Sequence, residues 1–374
     1  MISFSTTEEQ QMTVDTLNRF AAGEMRKIYR DCDETGDIPE EIIDRAWRFG
    51  LLPGAIPSAY GGFGDHSAVT GALIAEELAW GDLSIAMHIL CPALAAFPLL
   101  EHGTEDQKKA YLPRFCGDTY HPATAALIEP RPLFDPFKPS TAARRDGDGY
   151  LLSGEKCYVP LAAGAELMLI YAADPDGTVQ CFIVEKPSAA KGLTISGREK
   201  NMGIKALATY ELTLKDLSVP ASARLGGEAG CDFTRILNHS RVALAAMSVG
   251  VARAAFDYAI AYAKDRHAFG EPIASRQSIA FMLAEMAIEV DATRFMSWEA
   301  AWKLDKTTDK PSTINNQPTM AASLVKRYAD DMVITVADRA VQIMGGHGYI
   351  RDHPVELYLR NARGFPAFEG MAMI

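Results

Sequence analysis

Residues 238–277 read NHSRVALAAMSVGVARAAFDYAIAYAKDRHAFGEPIASRQ, and this stretch decides the architecture. From Val242 to Ala263 nearly every residue is Ala, Val, Met, Gly, Phe, Tyr or Ile, which predicts a helix buried on all sides in a bundle. Its Ala and Gly content, with Arg253 and Asp257 inside it, argues against a membrane span. Lys264-Asp265-Arg266-His267-Ala268-Phe269-Gly270 is a charged break closed by a glycine. Pro272 then leads into a second helix carrying Gln277. The break has two readings. It is either a polar helix–helix turn or a site for a polyanionic ligand with a flat base. In the second, guanidinium meets phosphate, the ring stacks and the carboxamide reads base edges.

Outward from that core, composition sets bounds. A chain of 374 residues exceeds one compact core, and 48% hydrophobic residues suffice for a packed interior. A net charge of −11 argues against nucleic-acid binding, which needs a basic surface. The six cysteines form no CxxC pair, which fits a reducing, cytoplasmic setting and no disulfide framework. No basic-then-apolar leader opens the sequence, and no histidine cluster has metal-ligand spacing, so no secretory signal and no metal are expected.

The fold class expected is α+β, in three parts. Residues 1–120 form an N-terminal helical domain. Residues 121–225 form a central antiparallel β domain. Residues 226–374 form a C-terminal four-helix-bundle domain. Ser5-Thr6-Thr7-Glu8 and Thr104 to Gln107 read as capping boxes, and Pro39 and Gly50 bracket another helix. Helices follow around 67–80 and 84–100. Gly149–Gly154, Leu167–Ala172, Gln180–Glu185 and Tyr210–Lys215 read as strands between turn signals, and Val219-Pro220 ends the sheet. A polar linker is expected over residues 307–318. Helices, strands, then helices is not a βα alternation, and no GxGxxG follows a strand, so a nicotinamide-type Rossmann domain is excluded.

That order, with a set of short motifs, resembles the acyl-CoA dehydrogenase family. In the first half the motifs are Pro57 with Tyr60-Gly61-Gly62, Glu76-Glu77-Leu78-Ala79, Glu129-Pro130 with Asp135, and Gly154-Glu155-Lys156. Beyond them come Met202-Gly203-Ile204, Val219-Pro220, Arg241, Arg266 with Phe269-Gly270, and Gln277. Gln342 with Gly345-Gly346-His347-Gly348-Tyr349, and Phe368-Glu369-Gly370, complete the set. The resemblance implies FAD at a subunit interface, a tetramer, and α,β-oxidation of an acyl-CoA thioester in fatty acid metabolism, with an electron-transfer flavoprotein as acceptor. It implies Glu369 as the catalytic base, with Phe368 as apolar cover and Gly370 allowing a close backbone approach to the ligand. It implies Arg266, Phe269, Gln277, Gln342, Gly345 and Gly346 on a neighbour's ADP moiety. Ile128 and Pro160 fall beside the flavin ring, and Arg241, Ser240 and Asn238 beside the substrate.

Departures accompany the resemblance. Ile128 stands where the family has threonine, Leu133-Phe134 where it has Gly-Ser, and Pro160 where it has a hydroxyl residue. Ala268 and Met371 each stand where threonine is common. Proline offers neither hydroxyl nor N–H. An alternative is therefore a non-catalytic or half-site subunit of a hetero-oligomer, and a third reading is non-redox chemistry on an acyl-CoA. Ser240 cannot act as a base, so Glu369 is the one candidate. Bland readings remain for single residues. Glu369 reads equally as a carboxylate in a frayed C-terminal loop, and Gly345-Gly346 as a helix C-cap with a turn. His347 reads as a surface residue, Arg241 as the partner of Glu129 or Glu369, and Lys156 and Arg131 as solvated.

Overall fold

The computed structural model describes residues 4–306 and 317–374. Of the linker expected over 307–318, residues 307–316 lie outside the described residues, while Gln317 and Pro318 belong to a helix.

The N-terminal helices are α1 (Glu8–Phe20), α2 (Arg26–Thr35), α3 (Glu40–Trp47), α4 (Ala68–Gly81), α5 (Leu83–Leu90), α6 (Ala93–His102) and α7 (Glu105–Tyr111). The first capping box differs from the sequence reading. Thr7, not Ser5, is the N-cap, and Gln10 returns its side chain to the cap backbone. Both Ser5-x-x-Glu8 and Thr7-x-x-Gln10 satisfy the pattern, and the second places Leu17 and Phe20 inward. The box at Thr104 and Gln107 is as read. The helical stretch expected around 84–100 is broken at Cys91-Pro92, where α5 and α6 meet at 40°. Proline lacks the N–H that a continuous helix would use there.

Seven strands make one sheet: β1 (Ala123–Ala126), β2 (Ala142–Asp146), β3 (Gly149–Pro160), β4 (Leu167–Ala173), β5 (Val179–Glu185), β6 (Leu193–Arg198) and β7 (Thr209–Pro220). Its order is β1-β4-β2-β3-β7-β6, with β5 beside β4. Most pairs are antiparallel, as expected, but β1 runs parallel to β4, with Ala123 opposite Leu167. The central strands β4 and β5 are buried along almost their whole length, because both faces are covered.

The C-terminal part begins with α8 (Phe233–Asp265), capped by Asp232, whose side chain accepts from Arg235 N. The break after α8 is a two-residue-strand hairpin, β8 (His267–Ala268) and β9 (Glu271–Pro272). Phe269 and Gly270 form its tip, with φ of 55° and 87°. Two positive φ values in a two-residue loop define a type I′ turn, which glycine adopts freely and phenylalanine only under strain. Next come α9 (Gln277–Asp305), α10 (Gln317–Met344), α11 (Gly346–Tyr349) and α12 (Val355–Ala362). The long helices α8, α9 and α10, with the short α12, make the bundle.

Helix α4 covers the remaining side of α8. The ideal Cβ of a residue replacing Gly250 would lie 2.3 Å from the Glu76 carbonyl oxygen and 2.8 Å from Trp80 N, so the two backbones touch there. Around that contact, Arg253 on α8 and Arg294 on α9 neutralise Glu76 and Glu77, with N–O distances of 2.6–3.0 Å. Asp305, at the end of α9, accepts from Ala68 N at 2.6 Å and so caps α4 from another element. Among the described residues, α8 alone is long and apolar enough to cross a membrane, and 72% of its apolar window is buried in protein.

In an exposed helix Gly→Ala stabilises. Here Gly250→Ala should lower the unfolding free energy by roughly 1–3 kcal/mol, as overpacking does. Urea denaturation measures it, and an unchanged or raised midpoint would mean that α4 and α8 are not in backbone contact.

Candidate functional site

The loop after α12 carries Glu369. Far from being frayed, it is packed: Phe365 is fully buried, Phe368 is 3% exposed, and Met371 to Ile374 are all buried. Glu369 keeps 22% side-chain exposure, with Phe368 as its apolar neighbour in sequence. Arg241, on α8, meets Glu369 at 3.3 Å and donates from Nη1 to Ser323 Oγ on α10 at 3.1 Å. Of the two carboxylates considered for Arg241, the structure selects Glu369. Gly370 has a reason besides the one expected. A Cβ there would lie 2.6 Å from Leu127 Cδ2, so packing against Leu127 and a φ of 68° already require glycine here, whatever the loop binds.

Asn238 lies about one turn before Arg241 and Ser240 directly before it; they are 3% and 1% exposed. Asn238 Nδ2 donates to Thr319 Oγ1 at 2.9 Å. Asn238 Oδ1 and Ser240 Oγ are buried without a hydrogen-bond partner among the described residues. A buried polar atom left unpaired is costly, so each marks a place for a water or ligand atom.

At one end of the bundle the structure collects the other set. Helix α8 ends, α9 begins and α10 ends on the same side, and Tyr262 of α8 touches His347 Nδ1 at 2.7 Å across it. Arg266, Phe269, Gln277, Gln342, Gly345 and Gly346 are all exposed there, Phe269 to 95%. Arg266 has no acidic partner within salt-bridge distance among the described residues. A free guanidinium, an uncovered ring and two carboxamides on one face suit a nucleotide diphosphate. Gly345 (φ 57°) does end α10 as a turn, so the C-cap reading holds beside any binding role. His347 is half-buried, its ring near-parallel to that of His353 with centroids 5.4 Å apart.

On the sheet side the side chains are different. Ile128 is 7% exposed. Pro160, buried at the end of β3, has its carbonyl fixed by Thr124 Oγ1 at 2.6 Å. Tyr158 (φ 52°) and Leu161 (φ 54°) flank it in left-handed backbone, where β3 departs from regular pairing with β7. Tyr158 N donates to Glu199 Oε1 at 3.3 Å. Leu133 (φ 55°) is 99% exposed in the preceding loop. Ile128 and Pro160 bring no side-chain donor to this surface.

Lys156 is not solvated. It is fully buried, and Nζ donates to Leu127 O at 3.0 Å and Glu129 Oε1 at 3.2 Å. Arg131 is partly exposed but tied, lying 3.4 Å from Glu129 and donating to Ser140 Oγ at 2.7 Å. The two members of the buried pair shift unequally. Burial raises the Glu129 carboxyl, but Lys156 and the Ser140 and Thr141 amides outweigh it and hold it below 4.5. Burial dominates at Lys156, whose ammonium drops to about 8 despite Glu129. Glu129 has three donors, whereas Lys156 has two acceptors for three protons, which accounts for the asymmetry.

A second buried set, His239, Arg235 and Glu101, escaped the sequence reading. Arg235 Nε meets Glu101 at 3.0 Å, and His239 Nε2 meets it at 3.2 Å. No group of three or more His, Cys, Asp or Glu among the described residues is arranged to hold a metal. A groove of about 660 Å³ between α1, α4 and the loop at Phe49–Phe63 contains neither Glu369 nor Arg241.

The sequence matches the family descriptions "Acyl-CoA dehydrogenase, N-terminal domain" over residues 7–118, "middle domain" over 124–217 and "C-terminal domain" over 232–374. It is 34% identical to the probable acyl-CoA dehydrogenase YngJ of Bacillus subtilis (strain 168), over 100% of this chain and 97% of that one. It is also 34% identical to the caffeyl-CoA reductase-Etf complex subunit CarC of Acetobacterium woodii, over 98% of this chain and 96% of that one. The structure of butyryl-CoA dehydrogenase from Megasphaera elsdenii superposes with a TM-score of 0.87 at 30% identity, covering 98% and 96% of the two chains.

Removing Lys156 leaves a buried carboxylate without its counter-charge. Lys156→Ala should cost roughly 3–5 kcal/mol of unfolding free energy; a cost under about 1 kcal/mol would be that of a solvated side chain. Glu129's folded pKa is depressed, so its contribution is complete above 4.5 and is lost as pH falls through the folded value. The wild-type urea midpoint should therefore fall on acidification below 4.5, and fall less in Glu129→Gln.

Proposed function

The chain belongs to the acyl-CoA dehydrogenase family, and on that premise we propose that it is an FAD-dependent enzyme oxidising the α,β bond of an acyl-CoA thioester. The observation that carries this reading is the Glu369 carboxylate, accessible from outside yet set in a fully packed loop and oriented by Arg241. An α-proton of a thioester is weakly acidic, so its removal needs a fixed base in apolar surroundings. Glu369 takes that proton. Arg241, itself held by Ser323, fixes where the carboxylate points, and Phe368, packed on Phe365, anchors the loop beside it. Ser240 Oγ, unpartnered beside Leu127 and Gly370, and Asn238 Oδ1, unpartnered on the α10 side, are the further polar atoms of this turn assigned to substrate.

FAD, when bound, supplies the acceptor for the β-hydrogen. Its ADP portion would be held by Arg266, Phe269, Gln277, Gln342, Gly345 and Gly346, exposed where only a second chain's cofactor can reach them. Its ring would lie near Ile128 and Pro160. That division makes the active form an oligomer, read as a homotetramer. The Etf complex in the name of the Acetobacterium relative supports an electron-transfer flavoprotein as acceptor, and six free cysteines support a cytoplasmic setting. Similarity across all three parts of the chain supports the complete enzyme over the half-site subunit.

Three outcomes are expected. Protein purified alone should carry about one FAD per chain by absorbance; far fewer flavins than subunits would return the half-site reading. Glu369→Gln should keep fold and FAD but lose turnover of its best acyl-CoA by about 10²–10⁴-fold with an artificial acceptor. Arg266→Ala should lose FAD on gel filtration while melting like wild type without flavin, because an exposed arginine adds little to the fold. Undiminished turnover in the first variant, or undiminished FAD retention in the second, removes that residue from its role.

A further inference from the structure

The side of α10 facing the Glu369 loop carries a polar stripe, Ser323, Lys326 and Asp330, spaced three and four apart. Ser323 is accounted for by Arg241. Lys326 and Asp330 are not accounted for by the chemistry above, and their side chains are only 6% and 11% exposed.

We infer that Lys326 and Asp330 are positioning residues for Glu369, clamping the loop that carries it through the Phe365 carbonyl. This rests on Glu369 acting as the base. The geometry is a short chain of bonds. Lys326 Nζ donates to both Asp330 oxygens, at 2.8 and 2.7 Å, and to Phe365 O at 2.9 Å, so all three ammonium protons are used. Phe365 O also accepts from Phe368 N at 3.1 Å. One carbonyl thus ties α10 to the residue directly before Glu369. Phe365 and Phe368 rings, 5.7 Å apart and edge to face, close the same turn. Gly364 lets it form, since a Cβ there would sit 2.3 Å from Phe368 Cζ.

A buried ion pair is a poor device for stability alone, because two apolar side chains of like volume would serve as well or better. What apolar side chains cannot do is bond a carbonyl. Asp330 is the counter-charge that keeps an ammonium in this place. Burial raises its carboxyl to about 6 against the pull of Lys326, with Glu369 adding to the rise, so the pair lies within the field of the base. Arg241 fixes the Glu369 carboxylate from α8, and Lys326 fixes its backbone from α10.

The test is a double substitution, Lys326→Met with Asp330→Leu, which removes both charges together and spares the fold an unpaired one. It is made in wild type and in Glu369→Gln, and assayed with the acyl-CoA that wild type turns over best. In the wild-type background kcat should fall roughly 10–100-fold, the scale of a small misplacement of a reacting group. KM and FAD content should stay unchanged. In the Glu369→Gln background the same double substitution should cost nothing further, because the group it positions is gone. Asp330→Asn keeps shape and the Lys326–Phe365 bond but leaves the ammonium without its counter-charge, so it should unfold at lower urea than the double variant while the folded enzyme loses less kcat. An unchanged kcat in the double variant, an equal loss in both backgrounds, or a larger loss in Asp330→Asn overturns the inference. Full turnover by Glu369→Gln alone instead overturns the base reading on which it rests.

Discussion

A helix of 33 residues without a polar face has to be walled in from every direction, and the rest of this molecule is arranged to do that. α8 meets α9, α10 and α12 on the bundle side and α4 on the other. The α4 contact is close enough that the two backbones touch at Gly250. Close approach is what lets Arg253 reach Glu76 and Glu77, both nearly buried, and lets Arg294 complete the cluster from α9. Burying a carboxylate is tolerable only when it is paired and hydrogen-bonded. Here two carboxylates share two guanidinium groups, and Asn18 supplies a further donor to Glu77 at 3.0 Å.

The same helix divides the functional groups. Its first third carries Asn238, Ser240 and Arg241 toward the base loop, and its end turns into the hairpin bearing Arg266 and Phe269. One helix therefore sets the spacing between the Glu369 carboxylate and the exposed face at Arg266 and Phe269. The base loop is supported separately, from α10 and by packing of residues 371–374 against the core. A carboxylate held from two helices has less freedom than one on a loop alone, which suits a group that must meet a particular C–H bond.

Legibility from sequence followed the range of the interaction. The buried helix, its break and most helix caps were readable because periodicity and capping are local. The strand β1 was not. Ala123-Thr124-Ala125-Ala126 has little β propensity and becomes a strand only through parallel pairing with β4, more than forty residues on. The set of residues resembling a known family was legible, and the structure gathers its C-terminal members, from Arg241 to Gly370, at two places. Lys156 was misread because a lone lysine says nothing about Glu129, 27 residues before it in the chain and 3.2 Å away in space. Glu101, Arg235 and His239 were missed for the same reason: the glutamate is 134 residues from its nearer partner. The packing of Gly370 against Leu127 was likewise invisible, because no single-residue pattern reveals it.

The contact between α4 and α8 also has a consequence for biosynthesis. α4 ends at Gly81, and the glycine against which it packs is residue 250. At translation rates of roughly 5–20 residues per second, about 10–30 s separate their emergence from the ribosome. Through that interval Leu73, Ile74, Ala75 and Leu78 have no partner in α8, and Glu76 and Glu77 lack the arginines that later neutralise them. The nascent chain thus presents an apolar, acidic helix to the cytosol for tens of seconds before its wall exists. Until then α4 has α1 and α5 to pack on, its neighbours from the same part of the chain.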